Sequence, residues 1–317
     1  MDVFLGIDTS CYTTSLCLVD AAFDVVADER IILSVAKGGR GLSQSNMVYQ
    51  HTRNLPVLFE RLAGVLASAC IRAIAVTDQP RRRDDSYMPA FLAGLGYGRA
   101  LAAVLGVPLY RLSHQENHLL AVLRSLGHIG TAPFYGIHLS GGTTDLLRAV
   151  PDEQGLDITR IGGTSDISAG QFIDRMGVAL DLPFPSGIHV DKLAQTVNPP
   201  VKGAHVFCRD GQVSFSGPES QGQRRIAAGG EDPARLCSWT LSTVWRGLES
   251  LLDYAAADGM DHLVAAGGVM SNAYLRRQMS GYCRRHGICL NLADDGFSAD
   301  NASGAAFWAA VQEGKKS

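Results

Sequence analysis

His114 and His118 lie four residues apart in Arg111-Leu112-Ser113-His114-Gln115-Glu116-Asn117-His118-Leu119-Leu120, where a serine able to cap a helix precedes apolar residues at helical intervals. On a helix, two imidazoles at that spacing leave the same face about one turn apart and can share a metal ion. A pair at this spacing is by itself more often incidental, its histidines satisfying buried hydrogen bonds or sitting in solvent. A carboxylate strengthens the ligand reading, and Asp294-Asp295-Gly296-Phe297-Ser298-Ala299-Asp300-Asn301 offers several, with Asp300 at the mouth of a helix of small residues. Two histidines and one carboxylate leave coordination positions open, which suits a divalent iron or zinc acting on a ligand. Glu116 does not directly follow the first histidine, so this is not the H-E-x-x-H of a zinc peptidase.

A second chemistry lies in a repeated turn. Phe4-Leu5-Gly6-Ile7-Asp8-Thr9-Ser10-Cys11-Tyr12-Thr13-Thr14-Ser15-Leu16 recurs as Phe134-Tyr135-Gly136-Ile137-His138-Leu139-Ser140-Gly141-Gly142-Thr143-Thr144-Asp145-Leu146, always 130 positions on. Each copy reads as an apolar strand, a hydroxyl-rich turn and a second strand (residues 16–19 and 146–150), hence a β-hairpin. Asp8, Thr9 and Ser10 line the first turn. Gly141-Gly142-Thr143-Thr144 can bring backbone amides and hydroxyls close to a phosphate, although Gly-Gly also serves plain turn chemistry. A third glycine turn, Gly267-Gly268-Val269-Met270-Ser271-Asn272, follows the apolar run Leu263-Val264-Ala265-Ala266 and precedes a helix expected from about Ala273 to His286, placing amides and a helix N-terminus beside a ligand. Two matched hairpins imply two related α/β lobes facing a cleft that holds a nucleotide.

The 317 residues suffice for one two-lobed unit or about two domains. Hydrophobic residues at 46% and charged residues at 19% describe a globular chain, and Arg99 interrupts the most apolar stretch, so no membrane span is expected. The first residues lack the pattern of an export signal, and seven scattered cysteines without C-x-x-C suit reduced thiols in the cytoplasm. The lysines, Lys37, Lys192, Lys202, Lys315 and Lys316, close no G-x-x-x-x-G-K-[ST] loop, which excludes a P-loop enzyme. A net charge of −3 gives no global attraction to nucleic acid, so an RNA would need a local basic patch or a second protein. Arg81-Arg82-Arg83 is the basic run in question; its charge is offset by Asp84-Asp85, as in a solvated loop.

In combination these residues resemble the TsaD/Gcp family of threonylcarbamoyladenosine synthases, within the actin/hexokinase/Hsp70 (ASKHA) superfamily. The resemblance runs along essentially the whole chain. It passes through Gly6-Ile7-Asp8-Thr9-Ser10-Cys11, His114 to His118, Ser140-Gly141-Gly142-Thr143 and Ala169-Gly170-Gln171-Phe172-Ile173-Asp174. It continues through Pro185-Ser186-Gly187 with Asp191, Ser214-Phe215-Ser216-Gly217, Gly267-Gly268-Val269 with Asn272, and Asp300-Asn301. It implies a duplicated two-lobe ASKHA fold, with an N-terminal lobe over 1–130 completed by 296–317, a C-terminal lobe over 131–295, and ligand and metal in the cleft. The implied activity is transfer of a threonylcarbamoyl group from threonylcarbamoyl-adenylate to N6 of the tRNA adenosine beside the anticodon. The implied metal is one Fe2+ or Zn2+ on His114, His118 and Asp300. By the same resemblance His138, Leu139, Ser140, Gly141 and Gly142 line the acyl-phosphate with Thr143 beside them, Asp174, Gly187 and Asp191 face the ribose, and Gly267, Gly268 and Asn272 hold the nucleotide. Each of these aspartates also reads as a helix cap or a loop residue. Smaller ASKHA-like and ATPase partner proteins are implied as well.

The chain departs from the family where chemistry is expected. An acidic pair usual after Ser-Cys is replaced by Tyr12 and Thr13, and a histidine usual after Ser-Gly-Gly by Thr143. The Pro-Gly-rich segment before the metal helix becomes Pro80-Arg81-Arg82-Arg83-Asp84-Asp85-Ser86-Tyr87-Met88-Pro89, and Ser-Phe-Ser-Gly is followed by Pro218-Glu219. A diverged paralogue is the expectation. Its alternatives are a carbamoyltransferase with another acceptor, an ASKHA ATPase or kinase using Mg with an acidic residue such as Asp8, and an inactive partner-binding scaffold.

Overall fold

The computed structural model describes residues 1–10, 12–35, 42–294 and 296–315, so Cys11 of the first turn and Asp295 before the last helix lie outside the described residues. The chain divides into two compact units, Met1–Ala132 with Val150–Ile158 and Ala293–Ser317, and Pro133–Ala149 with Thr159–Leu292.

In the first unit β1 (Asp2–Asp8) and β2 (Thr13–Asp20) form the expected hairpin, β3 (Val25–Ile32) extends it antiparallel, and β4 (Cys70–Gln79) and β5 (Leu109–Ser113) add in parallel. The strand order is β3-β2-β1-β4-β5. Alternation along β1 sends Val3, Leu5 and Ile7 to one face, where they meet Leu55, Leu58 and Leu62 of α1 (Gln44–Leu66) and Ala93 and Ala102 of α2 (Phe91–Leu105). Gly6 points the other way. A methyl group there would strike the carbonyl of Ala302 and come within 2.6 Å of the Ala306 nitrogen, which explains why the strand that carries Asp8 has a glycine there. The unit's third helix is α3 (His114–Leu123).

The second unit opens on β6 (Phe134–Leu139), β7 (Thr144–Pro151) and β8 (Leu156–Thr164), followed by α4 (Ala169–Ala179) and α5 (Gly187–Ala194). Strands β9 (Phe207–Arg209) and β10 (Gln212–Ser214), helices α6 (Ser216–Ala228) and α7 (Pro233–Ala257), then β11 (His262–Ala266), α8 (Ala273–His286) and β12 (Cys289–Leu292) complete it. The sheet order is β12-β11-β6-β7-β8-β10-β9. Its core gathers Ile137, Leu139 and Leu146 from the hairpin with Phe172, Phe215, Trp239, Leu248 and Leu275 from the helices and their approaches. The last helix, α9 (Ser303–Gly314), returns to the first unit and is buried along most of its length.

The duplication is exact in register. Pairs Gly6↔Cys17 and Ile7↔Leu16 of the first hairpin reappear as Gly136↔Leu147 and Ile137↔Leu146. It also extends beyond the hairpins, because β1 pairs in parallel with β4 and β4 with β5, as β6 does with β11 and β11 with β12. A division at 130 with a continuous second lobe over 131–295 leaves out one feature. Residues Val150–Ile158, the tip of the β7–β8 hairpin, group with the first unit, where Arg82 Nη1 meets Asp152 at 2.6 Å and the Leu156 amide donates to Glu116 Oε1 at 2.9 Å. Those partners are distant in sequence and leave no local signal. Among the described residues no helix is long and apolar enough to cross a membrane, and the cysteines are free thiols.

Candidate metal centre and ligand-facing residues

Helix α3 starts where its capping chemistry dictates. The Ser113 hydroxyl accepts from the Glu116 amide at 3.2 Å and the Glu116 carboxylate accepts from the Ser113 amide at 2.8 Å, a reciprocal capping box that makes His114 the first helical residue. His118 follows one turn later, with its side chain 2% exposed. Asn117, between the histidines, donates to the Asn301 carbonyl at 2.6 Å and accepts from the Ala305 amide at 2.8 Å, so α3 and the start of α9 are clamped together. Phe297, three residues before Asp300, is held by Arg30 and Arg124, whose guanidinium carbons each lie 5.1 Å from its ring centre.

These elements bring three donor atoms to one point. His114 Nε2 and His118 Nε2 are 3.0 Å apart, and Asp300 Oδ1 lies 3.4 Å from the second and 3.7 Å from the first. All three ligand atoms fall within 4.8 Å of one another. Nitrogen and oxygen ligands about 2.1 Å from a common ion stand roughly 3–3.5 Å apart, so two of the three separations suit a divalent metal and the third, 3.7 Å between His114 Nε2 and Asp300 Oδ1, is slightly long. His114 also turns Nδ1 to the fully buried Asp8, 3.3 Å away. Asp8 is itself held by the Ser10 hydroxyl at 2.7 Å and by the Thr77 hydroxyl of β4. A carboxylate on the far nitrogen of a metal-binding imidazole sets its tautomer and raises its basicity. Burial works against protonation of His114, yet the charge and hydrogen bond of Asp8, helped by Asp300, hold its pKa above the ordinary imidazole value. Burial, then the neighbouring His114, push His118 below it.

Thr77 escapes sequence reading, since a hydroxyl inside an apolar parallel strand carries no motif. Asp8 was legible only as a turn residue or a magnesium ligand, whereas the structure places it behind His114. Thr9 donates to the Ala90 carbonyl and accepts from the Gly94 amide, both at 3.1 Å, so it anchors the start of α2. Tyr12 is 40% exposed, and Thr13 is buried. The Arg81–Arg83 run is not uniformly solvated. Arg83 pairs with Asp85 in solvent, but Arg82 reaches the buried Glu116, because that carboxylate needs a cation.

In the second unit the Gly141-Gly142 turn sits open: a side chain at either position would meet nothing within 4 Å, so packing does not demand glycine there. Ser140 Oγ accepts from the Gly142 amide at 3.3 Å and the Thr143 amide at 3.1 Å, which turns two expected clamp amides inward. His138 and Leu139 are buried at the end of β6. Asp174 accepts from the Ser186 amide at 2.8 Å and from Gly187, tying α4 to the start of α5, and burial lifts its pKa despite those amides. Gly267, with φ 98°, brings its backbone against the Leu139 carbonyl, and Gly268 opens on free space. Asp191 Oδ2 accepts from the Ala273 amide at 2.9 Å and Asn272 Oδ1 from the Leu275 amide at 3.0 Å, so both side chains are oriented by the first turn of α8. Their other polar atoms, Asp191 Oδ1 and Asn272 Nδ2, are buried and have no partner among the described residues. Ser214 and Ser216 of the Ser-Phe-Ser-Gly segment bind Asp166 at 2.6 Å, and Phe215 stacks on Phe172 at 5.8 Å.

The fold and the relatives agree. Component A of the (R)-2-hydroxyglutaryl-CoA dehydratase of Acidaminococcus fermentans superposes with a TM-score of 0.58 at 14% identity, covering 99% of this chain and 100% of that one. A ROK family glucokinase from Streptomyces griseus, solved with glucose and AMPPNP, gives 0.52 at 12%, covering 98% of each. At such identities the likeness is one of fold, and it is the ASKHA fold. A tRNA N6-adenosine threonylcarbamoyltransferase of Sorangium cellulosum is 30% identical over an alignment 332 positions long that covers 97% of this chain and 91% of the relative. The model of the TsaD family, tRNA N6-adenosine threonylcarbamoyltransferase, matches residues 35–307. The chain therefore belongs to the TsaD family of tRNA N6-adenosine threonylcarbamoyltransferases, an enzyme family.

Proposed function

We propose that this protein transfers a threonylcarbamoyl group from threonylcarbamoyl-adenylate to N6 of the tRNA adenosine adjacent to the anticodon, in the cytoplasm, with one Fe2+ or Zn2+ on His114, His118 and Asp300. The observation that carries the metal part is the convergence of His114 Nε2, His118 Nε2 and Asp300 Oδ1, with Asp8 behind His114. A divalent ion bound there supplies a Lewis acid for carbonyl or phosphate oxygen. The N6 amine attacks the carbamoyl carbon, the bond to the adenylate phosphate breaks, and the amine loses a proton. Negative charge grows on the carbonyl oxygen and the leaving phosphate, where oriented dipoles act most strongly.

The adenylate reading is supported by Asp191 Oδ1 and Asn272 Nδ2. An acceptor and a donor, each buried without a partner among the described residues, would gain hydrogen bonds from a ribose and base. Gly187 and Gly268 leave the approach open, as do Gly141 and Gly142 beside His138 and Thr143 for the acyl-phosphate. Asp174 acts here as a brace for α5 and its Gly187 start. The kinase alternative would use an acidic residue such as Asp8 for magnesium; here the Asp8 carboxylate is engaged by His114, Ser10 and Thr77. Transfer to another acceptor remains the second reading, on the exposed Tyr12 and the Thr13 and Thr143 replacements. With a net charge of −3, tRNA is taken to be presented with the help of smaller ASKHA-like and ATPase partner proteins.

The test is metal stoichiometry and affinity. Purified protein should carry about one iron or zinc per chain, and His114→Ala, His118→Ala and Asp300→Ala should each lose it while remaining folded. Metal retained by all three variants would remove the basis of the proposal.

A further inference from the structure

Glu116 lies between the two histidines in sequence, is 1% exposed, and belongs to no ligand set. A capping box asks of its glutamate only that it reach back to the N-cap amide. Here every face of the carboxylate is engaged. Oε2 accepts from the Ser113 amide at 2.8 Å and the Ser113 hydroxyl at 2.6 Å. Oε1 accepts from the Leu156 amide at 2.9 Å and from Arg82. Arg82 forks, with Nη2 on Glu116 and Nη1 on Asp152 at 2.6 Å. Gly155 closes over the pair, and a methyl group there would overlap both Glu116 Oε1 and Arg82 Nη2.

We infer that Arg82 and Glu116 form a clasp that positions the metal-binding turn of α3, Arg82 acting through Glu116 on His114 and His118. The physical reason is the cost of an unpaired buried charge. With Arg82 removed, a carboxylate shielded from water loses its cation. It can recover hydration only by swinging out, which breaks the box at Ser113 and frees the backbone that fixes His114. Arg82 thus becomes a positioning residue rather than part of a basic patch for nucleic acid, and the inference rests on the metal reading above.

A double-mutant cycle on the full chain tests it, with zinc affinity read by chelator competition and amide exchange read on the metal-free protein. Arg82→Ala should weaken zinc binding about tenfold, the low end of losses seen when supporting groups around metal ligands are removed. Glu116→Gln should weaken it comparably, and Arg82→Ala should add little in that background, since the effect passes through one carboxylate. Arg82→Lys should restore part of the loss, because an ammonium returns the charge but not the fork. Arg83→Ala, in an exposed pair, should change nothing. Wild-type affinity in a folded Arg82→Ala protein, or fully additive losses, would overturn the clasp. Should the parent protein bind neither zinc nor ferrous iron, the metal reading falls separately. The clasp then stands or falls on exchange of the Glu116 and Leu156 amides, which Arg82→Ala should accelerate at least tenfold and which unchanged rates would refute.

Discussion

At the scale of single residues, Asp8 shows how one side chain can have its role decided by neighbours remote in sequence. It ends β1, yet its carboxylate is fixed by Thr77 of β4 and faces His114 at the start of α3. Asp8→Asn keeps the shape but can present an amide nitrogen to His114 Nδ1, and it removes the charge that favours Nε2 as a ligand. Metal affinity should fall about 10–100-fold with little change in the fold, measurable by competitive chelation; an unchanged affinity would reduce Asp8 to a packing role. The spacing of His114 and His118 places both on one helix face but does not by itself separate shared ligation from buried hydrogen bonding or exposure to solvent. Asp300 was legible as one of several carboxylates, and only the Asn117 clamp and the Phe297 anchor show why that one turns toward the histidines.

At the scale of elements, the Ser214–Gly217 segment turns out to be a helix start held from outside. Asp166 accepts from both serine hydroxyls and from the amides of Phe215 at 2.9 Å and Ser216 at 3.1 Å, where α6 begins without a side-chain cap of its own. Partial burial opposes ionisation, but these hydrogen bonds outweigh it and hold the Asp166 carboxyl well below the usual carboxylate range. A depressed folded value favours the charged form in the folded state. The stabilisation is therefore present above the unfolded value of about 3.9 and fades as pH drops below it. Asp166→Asn should cost about 1 kcal/mol at pH 7, the scale of a lost cap on an exposed carboxylate. In urea melts the gap to the parent should narrow at pH 3; a gap that widened on acidification would refute this. Strand–turn–helix order was readable around Gly267 because an apolar run, two glycines and an Asn cap share one short stretch. The Val150–Ile158 tip and Arg82 were not, because their partner is a buried glutamate on another element.

At the scale of the whole molecule, the two hairpins were visible in the sequence because their pairing register constrains residues at both ends of each turn. The wider duplication, β3-β2-β1-β4-β5 matched by β8-β7-β6-β11-β12, was not visible. Buried parallel strands accept any apolar sequence, so β4 and β11 share a place without sharing residues. The two units carry different halves of the proposed chemistry. The first holds the histidine and carboxylate donors, and the second holds the glycine turns with Asp191 and Asn272. The most direct test of the account is mass-spectrometric quantification of N6-threonylcarbamoyladenosine in tRNA. The reaction contains metal-loaded protein, threonylcarbamoyl-adenylate, unmodified tRNA and the candidate partner proteins, beside a parallel reaction with His118→Ala. Modified tRNA with the parent protein and at least a hundredfold less with the variant is the expected result; equal product in both, or none in either, would contradict it.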